Sequence, residues 1–381
     1  MSDFGLVLAG GAARGAYQVG VMRFVFDELA SRLGRPTWPD LVSGTSVGSI
    51  NGLFAAARTH EGLARLTGLW RDLSIDQVYA LHWSSMFGAV RSAYRSEQSF
   101  ALLDPRPLYK LVRHHFPTTA LRHAIDSGAC RALVLSATEL DTGYNALFVD
   151  SGQPDYLLNA APGATVHRVR IRPKHVLGSA ALPMLFPSVR VNGEYFVDGG
   201  LRQNTPLRPL LRAGASKALV IGVKRGLVQE GLDPLEDVTP NLPFLLGKTF
   251  NAIMLDPVER DIQQAEQINR IVDWGERVYG PPFAAQVDAD LGLHRTDIVF
   301  LKPSEDLGRI ASETFRSRPP RVSTQLGWLL GFIADRANAG ESDLLSFLYF
   351  DKAFTGALEA LGYEDAKRRE EQLASLFMSE D

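Results

Sequence analysis

The chain has 381 residues, 45% of them hydrophobic and 22% charged, which fits one large globular domain or two ordinary ones and excludes a disordered or fibrous protein. Lys and Arg total 40 and Asp and Glu total 43, so the net charge of −3 argues against a dedicated nucleic-acid-binding protein, which would carry a basic excess. The single cysteine, Cys130, excludes an intramolecular disulfide and any multi-cysteine metal site, and it favours a reducing compartment.

No targeting signal is evident at the start of the sequence or in its apolar segments. The start, Met-Ser-Asp-Phe, lacks the basic region of a signal peptide. The longest later apolar runs, at residues 242–246 and 326–333, are far shorter than the roughly 18 residues of a spanning helix. We therefore expect a cytoplasmic protein, with any membrane contact peripheral.

The first 57 residues predict two successive strand-turn-helix units. The continuous apolar run at residues 4–9 predicts a buried strand, and an amphipathic pattern over 15–33 predicts the helix after it. A second strand is predicted at 41–43, followed by a helix of small apolar residues over 50–57. Residues 59–125 are predicted to be mainly helical.

The middle of the chain alternates between strands and helices. Residues 132–140 and 144–149 predict an antiparallel pair, and residues 189–197 predict a second hairpin around Asn192-Gly193. Between these pairs a helix is expected at about 174–182. A helix at 206–213 and a strand at 218–223 complete a pattern that is typical of a mainly parallel α/β sheet.

The last third is predicted to be helical around one further strand. Residues 241–275 read as helix and residues 297–301 as a strand, so the helices before that strand are better placed as an insertion, at about 226–296, than as a separate domain. Residues 316–321 are an expected linker to C-terminal helices over about 322–377.

Residues 44–48, with the sequence Gly-Thr-Ser-Val-Gly, match a nucleophile elbow. In such an elbow, glycines permit a strained strand-to-helix turn that exposes the serine, here Ser46, at the positive end of a helix. The alternative is an ordinary tight turn with a capping serine. The strand and helix predicted on either side favour the elbow.

Residues 10–15, Gly-Gly-Ala-Ala-Arg-Gly, leave several interpretations open. A dinucleotide site requires a glycine in place of Ala12 and an acidic residue closing the second strand, and a P-loop requires Gly-Lys-Ser/Thr; the sequence has none of these. A nest of backbone N–H groups aimed at an oxyanion, with Arg14 adding positive charge, agrees with the residues. A glycine turn that lets a helix and a strand pack closely is the structural alternative.

Asp198-Gly199-Gly200 follows a predicted strand. An ordinary α/β hydrolase has several strands before its serine and a histidine as base, whereas Ser46 follows only two strands and none of the eight histidines has a setting that marks it as a base. His294 is the only late one and reads as a loop residue. A buried Asp198 beside Ser46 would be a stronger base than its reference pKa of about 3.9 implies; an Asp-Gly turn is the alternative.

Together these motifs resemble the patatin-like phospholipase family. The resemblance rests on residues 8–17, 44–48, 179–187 and 198–200, which occur in the family's order and spacing. It is strong over about residues 4–225. Two later stretches, 345–351 and 361–366, are similar to the C-terminal helices of bacterial members.

The resemblance implies a lipid acyl hydrolase that uses a Ser-Asp dyad, with Ser46 as nucleophile and Asp198 as base. It also implies an oxyanion hole from the amides of Gly11, Ala12 and Ala13, with Arg14 at the family's basic position. The third glycine of that loop is replaced by Ala12, and because alanine resists positive φ we expect a shifted hole or a reduced activity. The remaining motif positions are glycines, namely Gly10, Gly15, Gly44, Gly48, Gly199 and Gly200.

The expected fold is a three-layer α/β/α sandwich with a central, mainly parallel sheet. Its catalytic domain is expected over 1–303, with the helical insertion inside it and a C-terminal helical region at 322–381 that covers the site. No metal and no cofactor are required, no nucleic acid is expected as a partner, and the substrate is a lipid or phospholipid. Acyl transfer on the same site, and a catalytically weak lipid-binding regulatory protein, are the alternatives.

Two further stretches have a functional and a structural interpretation. Residues 79–95 contain Tyr79, Trp83, Met86, Phe87 and Tyr94, together with Arg91 and Arg95. This pattern agrees with an interfacial lid and equally with an ordinary buried core stripe. Contact with anionic head groups and a solvated strand edge both agree with the alternating Arg168, Arg170, Arg172 and Lys174.

Overall fold

The computed structural model describes residues 3–81, 101, 103–153, 162–224, 258–318 and 343–378. Its strands are β1 (Asp3–Leu8), β2 (Leu41–Thr45), β3 (Ala80–Leu81), β4 (Leu103–Asp104), β5 (Ala132–Glu139), β6 (Asn145–Ser151), β7 (Ala164–Arg168), β8 (Val189–Val191), β9 (Glu194–Asp198), β10 (Ala215–Ile221) and β11 (Asp297–Leu301). Nine of them form one sheet with the order β11-β10-β1-β2-β5-β6-β7, to which β9 adds by pairing with β5, and β8 by pairing with β9.

Helices lie on both faces of this sheet. They are α1 (Gly15–Arg23), α2 (Ala30–Leu33), α3 (Val47–Ala57), α4 (His60–Asp72), α5 (Ile75–Val78), α6 (Arg106–His115), α7 (Thr118–Asp126), α8 (Pro173–Ser179), α9 (Leu207–Arg212), α10 (Val258–Tyr279), α11 (Pro282–Leu291), α12 (Leu307–Ser317), α13 (Asp343–Leu348), α14 (Lys352–Arg368) and α15 (Glu370–Met378). The fold is therefore the expected three-layer α/β/α sandwich.

Strand β1 shows why its sequence is continuously apolar. Leu6 and Leu8 point to one face and join the large core with α1 and α3, whereas Val7 points to the other face and joins a smaller core with Leu207 and Leu210 of α9. Successive side chains of a strand alternate between faces, so a strand covered on both sides is apolar at every position.

The direction of the strands decides where a site can form. β11, β10, β1, β2 and β5 run parallel to one another, so their carboxyl ends meet at a single edge of the sheet. β6 and β9 run antiparallel to β5. Loops at the carboxyl edge of a parallel sheet are where ligands bind in open α/β folds, and the two glycine-containing turns after β1 and β2 both lie there.

Most of the predicted elements are confirmed. The helix predicted over residues 15–33 is continuous, because six residues with wider π-type turns, Phe24–Leu29, join α1 to α2. The strand at Asp297–Leu301 lies beside β10 at the sheet edge, in parallel register. Both predicted hairpins form, β5 with β6 and β8 with β9.

Three details of the predicted element bounds were wrong. The helix expected to reach residue 182 ends at Ser179, since Pro183 lies shortly beyond it. The linker expected to begin at residue 316 overlaps α12, which continues through Ser317. Strand β7 was not anticipated as a separate element, because it is only partly buried and has no continuous apolar run.

The C-terminal helices share the main core with the N-terminal unit. A Cβ at Gly20 of α1 would lie 1.9 Å from the Glu359 carbonyl oxygen, and one at Gly362 would lie 2.0 Å from the Tyr17 carbonyl oxygen, so glycines permit α1 and α14 to cross in backbone contact. The Tyr17 hydroxyl donates to Asp365 at 3.0 Å.

The proposed domain bounds at 303 and 322 stay a prediction.

No described helix combines the length and apolar character needed to cross a bilayer. Within the same part of the chain, no group of three His, Cys, Asp or Glu side chains is arranged to hold a metal ion.

Candidate active site

Ser46 occupies a strained turn between β2 and α3. Its backbone has φ 55° and ψ −123°, a conformation that non-glycine residues rarely adopt. The flanking glycines are required by close backbone packing: a Cβ at Gly44 would lie 2.3 Å from the Gly48 carbonyl oxygen, and one at Gly48 would lie 2.2 Å from that of Leu8. The turn therefore has the geometry of the predicted elbow.

Hydrogen bonds hold this turn in place. The Ser46 N–H donates to Ser179 Oγ at 3.0 Å, and the Ser179 hydroxyl donates to the Ser136 carbonyl oxygen at 2.6 Å. On the helix side, the Ser49 N–H and hydroxyl both donate to the Ser46 carbonyl oxygen. Ser179 belongs to the 179–187 stretch of the family resemblance, and no sequence signal assigned it this supporting contact.

Asp198 lies at the end of β9 and is completely buried. Its backbone is fixed on both sides, because its N–H donates to the Ala181 carbonyl oxygen at 2.9 Å and its carbonyl oxygen accepts from Thr138 Oγ1 at 3.0 Å. In the side chain, Oδ1 accepts from the Gly200 N–H at 2.8 Å, whereas Oδ2 makes no hydrogen bond of good geometry within the described protein. The carboxylate thus keeps one oxygen available.

Burial raises the pKa of Asp198 to about 6, while the nearby Ser46 hydroxyl and the Gly200 N–H act to lower it. The same hydroxyl contact shows that the structure brings Ser46 and Asp198 together, although they are far apart in sequence. Gly199 permits the approach, because a Cβ there would lie 2.4 Å from the Ser136 carbonyl oxygen. The carboxyl is therefore a stronger base than an exposed aspartate, and it is ionised above pH 6.

The glycine-rich loop after β1 lies directly against the Ser46 turn. A Cβ at Gly10 would be 3.2 Å from the Ser46 Cβ and 2.4 Å from Asn204 Oδ1, and one at Gly15 would be 2.3 Å from Val47 Cγ2. Asn204 binds the loop from the other side. The Gly10 N–H donates to the Asn204 backbone carbonyl oxygen at 3.0 Å, and the Asn204 side-chain Nδ2 donates to the Gly10 carbonyl oxygen at 3.2 Å. Sequence reasoning did not find Asn204.

Ala12 has a φ of 49°, in the left-handed region where glycine is favoured. The family glycine that it replaces thus stands at a position that needs a positive φ. Among the described residues we find no acceptor for the N–H of Gly11 or Ala12, while the Arg14 N–H donates to the Gly11 carbonyl oxygen at 3.1 Å. Ala13 is fully buried. The loop thus offers amide donors beside Ser46.

The Arg14 side chain leads to the C-terminal part of the chain. Its Nε and Nη2 both donate to Ser346 Oγ, at 2.8 and 2.7 Å, and its guanidinium lies 4.0 Å from the centre of the Phe347 ring. Arg14 is only 3% exposed. The expected basic position is thus occupied by a buried cation that is bound to α13.

An apolar cavity begins at Ser46 and Ala12. Its walls come from α3, α4, α6, the segment after α8, and Leu348 and Phe350 near the C-terminus. Two lining residues with polar atoms have them bound: Trp70 Nε1 donates to Asn51 Oδ1 at 3.0 Å, and the Tyr79 hydroxyl donates to the Leu348 carbonyl oxygen at 2.6 Å. The wall beyond Ser46 is thus almost entirely apolar.

No described histidine is hydrogen-bonded to Ser46. His115 lines the cavity and accepts from Arg65 Nε at 3.1 Å, and burial together with the nearby Arg65 lowers its pKa. His294 lies in the turn before β11, where its ring contacts Asp288 and the Ala215 carbonyl oxygen.

The two remaining predicted stretches are only partly visible. Of the lid candidates, Tyr79 is buried core, in agreement with the structural interpretation, and the others, from Trp83 to Arg95, lie outside the described residues. In the basic stretch, Arg168 closes the edge strand β7 and is exposed, as is Arg170. Their exposure agrees both with a solvated sheet edge and with contact to anionic head groups, so both interpretations stay open.

Several known proteins are similar to this chain. Lysophospholipase NTE1 of Cryptococcus neoformans is 25% identical over 230 residues, which are 58% of this chain and 11% of that protein. The cGAMP-activated phospholipase of Pseudomonas aeruginosa is 28% identical over 209 residues, 53% of each. The crystal structure of VipD from Legionella pneumophila aligns over 98% of this chain and 67% of that one, with a TM-score of 0.37 and 13% identity.

The chain therefore spans about half of one curated relative and about a tenth of the other. The model of the patatin-like phospholipase family matches residues 6–211, just over half of the chain, from within β1 to within α9, a region that holds Ser46 and Asp198. On that match, the chain is a member of the patatin-like phospholipase family.

Proposed function

We propose that the protein hydrolyses fatty-acyl ester bonds of lipids or phospholipids, with Ser46 as nucleophile and Asp198 as base. The observation that carries this proposal is the contact between the strained Ser46 and a fully buried carboxyl group, beside an apolar cavity that Ser46 lines. The family membership supports the same reaction class.

The proposed reaction begins when Asp198 accepts the Ser46 hydroxyl proton and Oγ attacks the ester carbonyl carbon. The tetrahedral intermediate carries a negative oxygen, which the amides of Gly11, Ala12 and Ala13 stabilise together with the positive end of α3. As the intermediate collapses, Asp198 returns the proton to the leaving alcohol. Water then attacks the acyl-enzyme with the same base, which releases the fatty acid and restores Ser46.

The cavity determines which part of the substrate enters. An acyl chain leaves water favourably along the apolar wall from Ser46 to α4 and α6, at roughly 0.8 kcal/mol for each buried methylene. A charged head group finds few polar partners there. We infer that the acyl chain occupies the cavity and the head group stays outside. The protein would then bind the surface of a membrane or lipid aggregate as a peripheral protein.

The names of the two curated relatives point to phospholipids or lysophospholipids as the lipid class to test first. A lipid panel with diacyl and monoacyl phospholipids, a triacylglycerol and a short-chain nitrophenyl ester should be hydrolysed by the wild type and not by Ser46→Ala. Mass spectrometry of the released fatty acid and of the remaining glycerolipid identifies the bond that is cut.

A fluorophosphonate probe tests the nucleophile separately from the choice of lipid. We expect it to label Ser46 in the wild type and in the matched control Ser49→Ala, and to leave Ser46→Ala unlabelled. Labelling of Ser49→Ala, even at a reduced rate because the Ser49 hydroxyl supports the turn, shows that the neighbouring serine is not the nucleophile. Labelling of Ser46→Ala, or an unreactive wild type, would contradict the proposal and favour a lipid-binding protein without turnover.

A further inference from the structure

The short C-terminal helix α13 contacts both the cavity and the glycine-rich loop. Leu348 lines the cavity, and its carbonyl oxygen accepts from the Tyr79 hydroxyl. Ser346, two residues earlier, is fully buried and its Oγ accepts two hydrogen bonds from Arg14. Phe347 supports the same guanidinium with its ring face. One helix turn thus joins the acyl cavity to the loop beside Ser46.

Arg14 transmits that contact directly to the backbone of the loop. It follows Ala13 in the chain, and its N–H closes the loop by donating to the Gly11 carbonyl oxygen. Moving its side chain would cost free energy for two reasons. The side chain is buried, and its rigid guanidinium donates from both Nε and Nη2 to the same oxygen, Ser346 Oγ. A shift of Arg14 would therefore move the amides of Ala12 and Ala13.

The loop needs such support because it is strained. Ala12 holds a φ of 49° without being a glycine, and residues in sparsely populated backbone regions persist only where their surroundings fix them. Asn204 fixes the start of the loop at Gly10. The contact of Arg14 with Ser346 fixes its end.

We propose that Ser346 is a positioning residue for the reaction: through Arg14 it holds the oxyanion-stabilising amides of the glycine-rich loop in register with Ser46. This inference rests on the proposed function. It makes the C-terminal helix α13 part of the support for the catalytic centre, at a distance of more than 300 residues along the chain.

Ser346→Ala removes the acceptor and leaves Arg14 unchanged. Because a displaced amide weakens binding of the transition state more than binding of the substrate, we expect kcat on a soluble ester to fall by about tenfold while KM changes less than twofold. Labelling of Ser46 by a fluorophosphonate should slow by a similar factor. Ser312→Ala, which changes another buried serine on the neighbouring helix α12, is the control and should keep the wild-type kcat.

A double-mutant cycle shows whether the effect passes through Arg14. Arg14→Lys keeps the charge but not the fork, and should lower kcat by a similar factor with KM unchanged. Combined with Ser346→Ala it should lower kcat no further, whereas multiplied losses would overturn the proposal. Should Ser346→Ala not fold, as judged by thermal melting, Arg14→Lys alone decides, and a wild-type kcat in it would reject the inference.

The two proposals fail in different ways. If the wild type hydrolyses no ester faster than Ser46→Ala does, the proposed function fails. The double-mutant cycle then has no kcat values to compare. If the wild type is active and Ser346→Ala has the same kcat and the same labelling rate, Ser46 chemistry stands and the positioning role of Ser346 is rejected.

Discussion

The turns that follow β1 and β2 lie side by side at the carboxyl edge of the sheet, and each contains one non-glycine residue with positive φ, Ala12 and Ser46. The Ser46 turn is fixed mainly by backbone packing, since Gly44 and Gly48 pack against carbonyl groups at distances that no side chain tolerates. The glycine-rich loop is fixed by side chains from distant parts of the sequence, Asn204 and Arg14 with its partner Ser346. The first turn thus depends mainly on backbone packing, with one distant side-chain contact from Ser179, while the second depends on side chains of the completed fold.

The largest expected effect concerns the contact that the first turn makes with its base. Asp198→Asn should lower kcat by about 10³ to 10⁴, because the amide cannot accept the Ser46 proton. It should also stabilise the protein at pH 8. The folded-state pKa of about 6 lies above the ordinary aspartate value of 3.8, so this group's contribution to stability is lost as pH rises through that window, a cost of about 3 kcal/mol that asparagine avoids.

Asp150→Asn is a matched control for that stability prediction. Asp150 is also buried, but it is paired with Arg122 and accepts from the Ile171 N–H at 2.7 Å. Its loss should destabilise the fold, since the half-buried Arg122 would lose its charged partner. Urea unfolding at pH 8 separates the two variants. A destabilised Asp198→Asn would show that the ionised Asp198 carboxylate does not lower the free energy of unfolding.

The next effect tests whether backbone contact determines the first turn. Gly48→Ala would place a methyl group 2.2 Å from the Leu8 carbonyl oxygen, so β1 and α3 must separate. We expect about 3 kcal/mol of destabilisation and about a hundredfold loss of kcat. Gly68→Ala, in α4 with no atom within 4 Å of the new Cβ, should be neutral or stabilising by up to about 1 kcal/mol. Equal behaviour of the two variants would reject the argument.

A tenfold effect is expected from pH. Only ionised Asp198 can act as base, so kcat/KM should fall below a pKa of about 6 and be about tenfold lower at pH 5 than at pH 8. Burial and the nearby Lys174 lower the pKa of His175 to about 4, so that histidine does not titrate in this window. Measuring the profile at two temperatures checks the assignment, because carboxyl ionisation has little enthalpy: an inflection that moves strongly on warming would point to an imidazole instead.

The smallest effect sharpens the description of the second turn. Ala12→Gly relieves a left-handed alanine, which costs roughly 1 kcal/mol, and should raise kcat by about two- to fivefold if that strain displaces the amides. Ala13→Gly makes the same chemical change at a position without positive φ and should give no gain. Steady-state kinetics on one soluble ester compares them. An unchanged or lower rate in Ala12→Gly would show that alanine is accommodated.

The contrast between the two turns also explains how far the sequence could be interpreted. The Ser46 turn follows a local rule, because glycines at fixed offsets and a strand before them leave few alternatives, and β1, β2 and β11 were evident from apolar runs. Asp198 was identified through a strand end and a family resemblance. These are features that neighbouring residues determine.

Supporting contacts made by residues far apart in sequence had no such signal. Ser179, Asn204 and Ser346 are ordinary polar residues, and only the packed fold shows that they bind the two turns. The cavity wall was not predicted either, because its leucines and phenylalanines on α3, α4 and α6 read as common core positions. Long-range pairing depends on tertiary geometry that a single sequence does not display.

The crossing of α1 by α14 has a consequence for the order in which the protein matures during translation. The ribosome makes the Ser46 turn long before α14, and Tyr17 in α1 reaches its partner Asp365 only across 348 positions. Until that helix emerges, the apolar face of α1 stays uncovered, and Arg14 lacks Ser346. A nascent chain therefore carries the strained Ser46 turn long before it carries the support for its glycine-rich loop.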